Sequence, residues 1–191
     1  MPAAVTRATA ALSARCILAV AVLAGLGGCA RPDWTDPEKS KGSRAVPAPV
    51  VRKAVPRLDT PAPPWPKWVA PLLGKPIRAV YPREAVCIGN TDGIGWMYAG
   101  QPSRVVLLGW SWDAVAKAPA PRIVLTDSSG LIVGGGRTGV TRPDVIAAKP
   151  GVVTTAVTGW QALSPVLTGG VSAFGVVEGG RAVCPLGGLA F

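Results

Sequence analysis

Proline and glycine interrupt this chain too often for a helical fold. Its 191 residues include 24 glycines and 20 prolines. A proline removes a backbone donor, and a glycine inside a helix costs about 1 kcal/mol. Regular structure must therefore come in short pieces. Apolar residues nonetheless make up 49% of the chain, too many for complete disorder. Short strands joined by tight turns reconcile the two. The prolines are also unevenly spread, with eleven of them between residues 30 and 76, from Pro32 to Pro76. Residues 29–76 are expected to form a disordered, solvated, semi-rigid linker of polyproline type, reaching on the order of 150 Å when extended.

From about residue 80 the pattern becomes strand-like. Strands are expected over 85–88 and 95–99 around an Asp92-Gly93 turn, over 104–113, and over 122–126 and 131–134 around the turn at 127–130. Others are expected over 152–162, and over 171–177 and 181–184 around Glu178-Gly179-Gly180. Thr141 and Asp144 have capping-box spacing, Pro143 suits a first turn, and Pro150-Gly151 ends the segment, which predicts one short helix. The expected fold for residues 77–191 is all-β, an antiparallel sandwich of about eight short strands with that single helix.

The N-terminus reads as an export leader. Arg7 and Arg15 precede an unbroken run of Ile, Leu, Val, Ala and Gly over residues 17–28. A helix of that length rises about 18 Å, against about 30 Å for a bilayer core. The run ends Leu26-Gly27-Gly28-Cys29, which resembles the lipobox of bacterial lipoproteins. The resemblance implies that residues 1–28 are a signal peptide and that Cys29 is acylated and anchors the chain to a membrane. It also implies, with Ala30 rather than Asp next, an outer-membrane location facing periplasm or cell surface. An ordinary secretory signal with Cys29 an incidental thiol is the alternative. If Cys16 departs with the leader and Cys29 carries lipid, Cys87 and Cys184 remain. In an oxidising compartment they are expected to form one disulfide tying the first strand to the last, two free buried thiols being the other reading.

Residues 30–84 carry eleven basic and five acidic side chains, and residues 85–191 seven and five. The basicity is thus expected in the linker, where it attracts anionic lipid head groups or wall polymers, or only keeps the segment soluble. An exported chain without charge on a recognition element is not expected to bind nucleic acid.

Signs of catalysis are sparse. The absence of histidine removes Ser-His-Asp and Cys-His arrangements and makes a zinc site improbable, so no metal or cofactor is expected. Gly134, Gly136 and Gly139 match a nucleotide-loop spacing, but no helix opens after them, and a glycine-rich bend explains them. Asp92, Asp113, Asp127 and Asp144 all suit turns or a helix start. Trp110 and Trp112 share one face of the 104–113 strand with Val106 and Leu108, which reads as core. Exposed instead, they can stack on successive sugars, and Trp112 at the strand end is the first candidate, with Trp160 and Trp96 open to either role. Arg142 beside Asp144 is either a turn-fixing pair or an anion site. Trp65 and Trp68 are expected at a membrane interface or docked on the domain.

The combination of Gly109-Trp110-Ser111-Trp112-Asp113, residues 121–136, Arg142-Pro143-Asp144-Val145, Gly159-Trp160 and Cys184-Pro185-Leu186-Gly187 is similar to a β-rich module at the ends of many uncharacterised bacterial envelope proteins. The likeness covers residues 85–186 and implies no settled activity. Together these features lead to the expectation of a membrane-anchored envelope lipoprotein. Its β-domain is expected to be a non-enzymatic interaction or assembly module for an envelope protein partner, with carbohydrate binding by surface Trp as the alternative.

Overall fold

The computed structural model describes residues 54–165 and 169–190. The leader, Cys29 and the first part of the linker lie outside the described residues. Nine strands follow in order: β1 (Arg57–Leu58), β2 (Arg83–Glu84), β3 (Cys87–Tyr98), β4 (Arg104–Asp113), β5 (Arg122–Thr126), β6 (Ile132–Val140), β7 (Gly159–Ser164), β8 (Val171–Val177) and β9 (Ala182–Leu189). Two short helices, α1 (Ile77–Val80) and α2 (Pro143–Ala148), punctuate them. The all-β class holds. The expected sandwich of two separate sheets is not seen, because all nine strands belong to one sheet in the order β1-β3-β4-β7-β6-β5-β8-β9-β2. Nor is that sheet purely antiparallel, since β1 joins β3, and β2 joins β9, in parallel.

The sheet curls until its two ends meet. β2 pairs with β9, and three residues later the same stretch of chain becomes β3, which pairs with β4. The Ala85 N–H donates to Val183 O at 2.8 Å. Beyond it the β3–β9 seam is bridged by side chains. Thr91 Oγ1 donates to Leu186 O at 3.0 Å, and Cys87 is bonded to Cys184 with their Cα atoms 5.6 Å apart. The disulfide expected from the thiol count is present, and it joins the edge of the first long strand to the last.

Curling gives the sheet an inside and an outside. Inward residues alternate along each strand, as strand geometry requires: Val105 and Leu107 on β4, Ile123 and Leu125 on β5, Trp160 and Ala162 on β7, Ala173 and Val177 on β8, Cys184 and Leu186 on β9. Trp160 is the largest of them and is 1% exposed. Its ring lies over Gly109, where an added Cβ would come within 2.3 Å of the indole. Glycine at 109 is what lets so large a side chain fit between facing walls.

Several turn signals were absorbed into strands. Asp92-Gly93 makes no hairpin; it sits in β3 at a bulge, with a register shift between Thr91 and Gly93. The bulge adds a residue and bends the strand, which helps the sheet to curl. The glycine run is likewise part of β6, not a bend between sheets. Added Cβ atoms on Gly134 and Gly136 would strike the Leu163 and Gln161 carbonyls of β7. By contrast the 104–113 strand and the hairpins at 127–130 and 178–180 form where their residues predict them.

The larger departure concerns the linker. Residues 54–76 are part of the folded unit, so the domain begins well before residue 77. Met97 N–H donates to Pro56 O, Ala99 N–H to Leu58 O, and Ala62 N–H to Pro102 O, at 2.8, 2.8 and 3.0 Å. The chain then crosses the outer face of the sheet as a strap. Val69, Ile77 and Tyr81, flanked by Trp65, Trp68, Leu72 and Leu73, cover Val124, Ile132, Val176 and Val183. Trp65 also lies 3.8 Å from the Arg104 guanidinium, which donates to Pro63 O. Prolines that forbid helix do not forbid docking: an extended segment keeps its carbonyls free to accept, and its tryptophans and leucines bury apolar area at about 25 cal/mol per Å². Burial also pushes the Tyr81 hydroxyl above its ordinary range, against the opposing effect of the Arg122 charge.

The bridge closes a loop with a sequence separation of 97. Replacing both cysteines with serine should cost about 4–5 kcal/mol in the chain-entropy account. Urea denaturation of the two proteins checks this; an unchanged midpoint would show that the seam holds without the bond.

Candidate functional site

The residues singled out in the sequence go to different places. Trp112 is 1% exposed, packed with Val145 and Val153 under α2, so the first candidate for an exposed stacking surface is core. Trp160 is inside the curled sheet, and Trp110 is half-buried against the Trp112 cluster. At the Trp110–Trp112 end the outer face of β4 is covered by Val145, Ile146 and Val153, which is why these tryptophans are not displayed. The three rings do not form a shared platform, and the carbohydrate-binding reading that used them loses its residues.

Arg142 is the N-cap of α2, but Thr141 does not close a capping box there. The Arg142 guanidinium takes Asp144 instead, with Nε 2.9 Å from Oδ1 and Nη2 2.7 Å from Oδ2, and reaches Asp92 of β3 with Nη1 at 2.5 Å. Asn90 Nδ2 donates to the other Asp92 oxygen at 2.9 Å. Its fork is thus occupied by two carboxylates, so it fixes the approach of α2 to the β3 bulge. Hydrogen bonding from Arg142 holds the Asp144 carboxyl below its usual range, and the same bonds push the guanidinium pKa up.

The other two aspartates hold turns. Asp127 Oδ1 accepts from Ser129 and Leu131 N–H at 2.9 and 3.0 Å. Asp113 Oδ1 accepts from Val115 and Ala116 N–H at 2.9 and 3.0 Å. Asp92 and Asp144 share the Arg142 guanidinium, and no cluster of three metal-ligating side chains occurs among the described residues.

A concavity of about 730 Å³ lies near the disulfide, at the end of the sheet where β3 begins and β4 ends. Ala85, Val86, Val115, Pro119, Pro121 and Val177 give it a mostly apolar lining, and the carboxylates of Glu84, Asp113 and Glu178 lie at its wall. Two of these are displayed to an unusual degree, Val86 at 83% and Val115 at 90% exposure. Both positions are held firmly. Val115 rides on a turn tied at its base by reciprocal Asp113–Ala118 backbone bonds and by the Asp113 carboxylate. Val86 sits between the β2 pairing and the bridged Cys87. Apolar side chains fixed into solvent on a rigid rim are characteristic of contact surfaces. Nothing in the spacing of Val86 and Val115 announces this, since only the curl of the sheet brings their loops together.

The chain matches no family model, no curated protein and no solved structure. No helix among the described residues is long and apolar enough to cross a membrane.

The Asp144 carboxyl has a folded pKa depressed below 3.8. Its contribution to stability is therefore present above 3.8 and lost as pH falls through the lower folded value. The stability difference between the wild-type protein and Asp144→Asn should stay constant at neutral and mildly acidic pH and shrink below 3.8. Thermal melts across that range check it.

Proposed function

We propose that this protein is a lipid-anchored envelope protein whose β-domain is a non-enzymatic module for docking a protein partner. The observation that carries the reading is the pairing of Cys87 with Cys184. A disulfide suits an exported protein, and once Cys16 leaves with the leader it makes Cys29 the one thiol left over, at the end of a basic-then-apolar leader. The rigidly displayed Val86 and Val115 beside the apolar cleft supply a surface for the partner. With residues 54–76 taken into the domain, the spacer between lipid and fold is residues 30–53, about 75 Å when fully extended.

Changing Cys29 to Ser should move the protein from the membrane to the soluble fraction and leave its N-terminal peptide without a lipid mass. An unmodified N-terminus in the unaltered protein would refute the anchor. For the docking surface, the wild-type domain should capture an envelope partner on cross-linking and the Val86→Asp, Val115→Asp double variant should not, while its thermal stability stays near wild type because both side chains are already in water. Equal capture by both proteins would move the interaction elsewhere.

A further inference from the structure

The sheet has a second open surface, on its outer face between the strap and α2. Following the ladder pairs across it reveals two outward rungs. One runs Trp96, Val106, Leu163, Gly135 across β3, β4, β7 and β6. The next runs Leu108, Gln161, Arg137, Arg122 across β4, β7, β6 and β5. Outward direction follows from the neighbours, because the rung between them, Leu107, Ala162, Gly136 and Ile123, faces inward.

Two properties of this surface are unusual. Arg122 and Arg137 stand directly opposite each other on β5 and β6. Like charges so placed repel, yet neither is in a salt bridge among the described residues. Both side chains are exposed. Arg122 leans over the Trp68 ring at 5.5 Å, which holds its guanidinium beside the strap. The other property is shape. Two depressions, of about 240 and 380 Å³, adjoin on either side of Gln161. The smaller has Val106, Gly135 and Leu163 as its floor and Trp96, Tyr98 and the strap prolines Pro63 and Pro66 as walls. Gly135 has no side chain to fill it. The Trp96 indole N–H is buried without a hydrogen-bond partner among the described residues.

The surrounding charge points the same way. The described residues carry twelve basic and seven acidic side chains, so the folded unit is itself basic, contrary to the expectation that the charge belongs to the linker alone.

We infer that this groove binds an anionic saccharide, with a carboxylate on the Arg122–Arg137 pair and a neighbouring ring against Trp96 and Tyr98. Paired guanidinium forks suit carboxylate oxygens, and their mutual repulsion is relieved when one arrives. Half-exposed aromatic faces suit the apolar face of a sugar ring, and the Gln161 amide between the two depressions can exchange hydrogen bonds with hydroxyls. A flat anionic membrane fits less well, because Trp96 and Tyr98 lie recessed behind the strap rather than protruding. The inference is independent of the docking cleft at the end of the sheet.

The test is affinity electrophoresis or calorimetry of the disulfide-bonded domain with soluble polygalacturonate, at physiological salt so that general attraction is screened. Arg122→Ser with Arg137→Ser should weaken binding roughly tenfold or more. Lys149→Ser with Arg181→Ser removes the same net charge elsewhere and should leave binding within about twofold. Neutral dextran should not bind. Because Arg122 leans on Trp68, Arg137→Ser alone and Gln161→Ala, both at exposed positions, provide a second reading that does not disturb the strap; each should weaken polygalacturonate binding. Equal loss in the two charge-matched pairs would overturn the assignment. So would absence of polygalacturonate binding, or arginine-dependent binding to phosphatidylglycerol vesicles in its place.

Discussion

A sheet that curls back on itself must deal with the line where its ends meet, and the rest of this structure depends on how that line is closed. β3 and β9 lie side by side without a main-chain ladder along most of their length. The short β2 pairing starts the closure, the Thr91–Leu186 hydrogen bond continues it, and the Cys87–Cys184 bond makes it covalent. Without that closure the inward faces of β3 and β9 would open to water, and with them the packing around Cys184 and Leu186. The bond therefore acts on the interior as well as on the unfolded chain. Edge strands are otherwise a liability in a protein of this class, and joining two of them is one way to remove it.

The strap solves a different problem. A curled sheet of this size still has an apolar outside, and Val124, Ile132, Val176 and Val183 need a cover. Helices usually provide one. Here a proline-rich segment does so, ordered by its carbonyls and by its tryptophans. The Arg104 guanidinium is desolvated under Trp65, which lowers its pKa. It remains satisfied by the Pro63 carbonyl and the ring face. The strap both takes water from the cation and returns an acceptor and a ring face to it, so strap and arginine depend on each other.

Much of the strand architecture was legible in the residues. The uninterrupted apolar stretch at 105–108, the Asp-Ser-Ser-Gly turn and the Glu-Gly-Gly turn all carry local chemistry strong enough to dictate local structure. The cysteine pair was legible because the thiol count leaves few choices. The misread parts share one cause, a local signal overridden by a distant partner. Asp92-Gly93 has turn chemistry, but β4 pairs across it and makes a bulge. Thr141 has capping chemistry, but Arg142 is drawn to Asp144 and to Asp92, fifty residues away. The prolines of residues 54–76 describe an extended chain correctly and say nothing about whether it lies against a surface. For Trp112 the favoured core reading held, though the strand pattern shows only which residues share a face and not that α2 would cover it. The Arg122–Arg137 pair escaped notice altogether, since its two members meet only through strand register.

The described chain enters the fold beside Met97, where Pro56 and Arg57 meet the far end of β3. The apolar cleft opens at the other end of that strand, where Cys87 begins it. β3 is twelve residues long, a span of about 40 Å at strand rise. The domain thus has a polarity, with the entry of the chain at one pole and its cleft at the other. A pull on the chain upstream of Ala54 bears on the first pole, where β1 would peel from the end of β3. The load would have to undo the strap before it reached the bridged seam. Any such load would thus reach the seam and its cleft last.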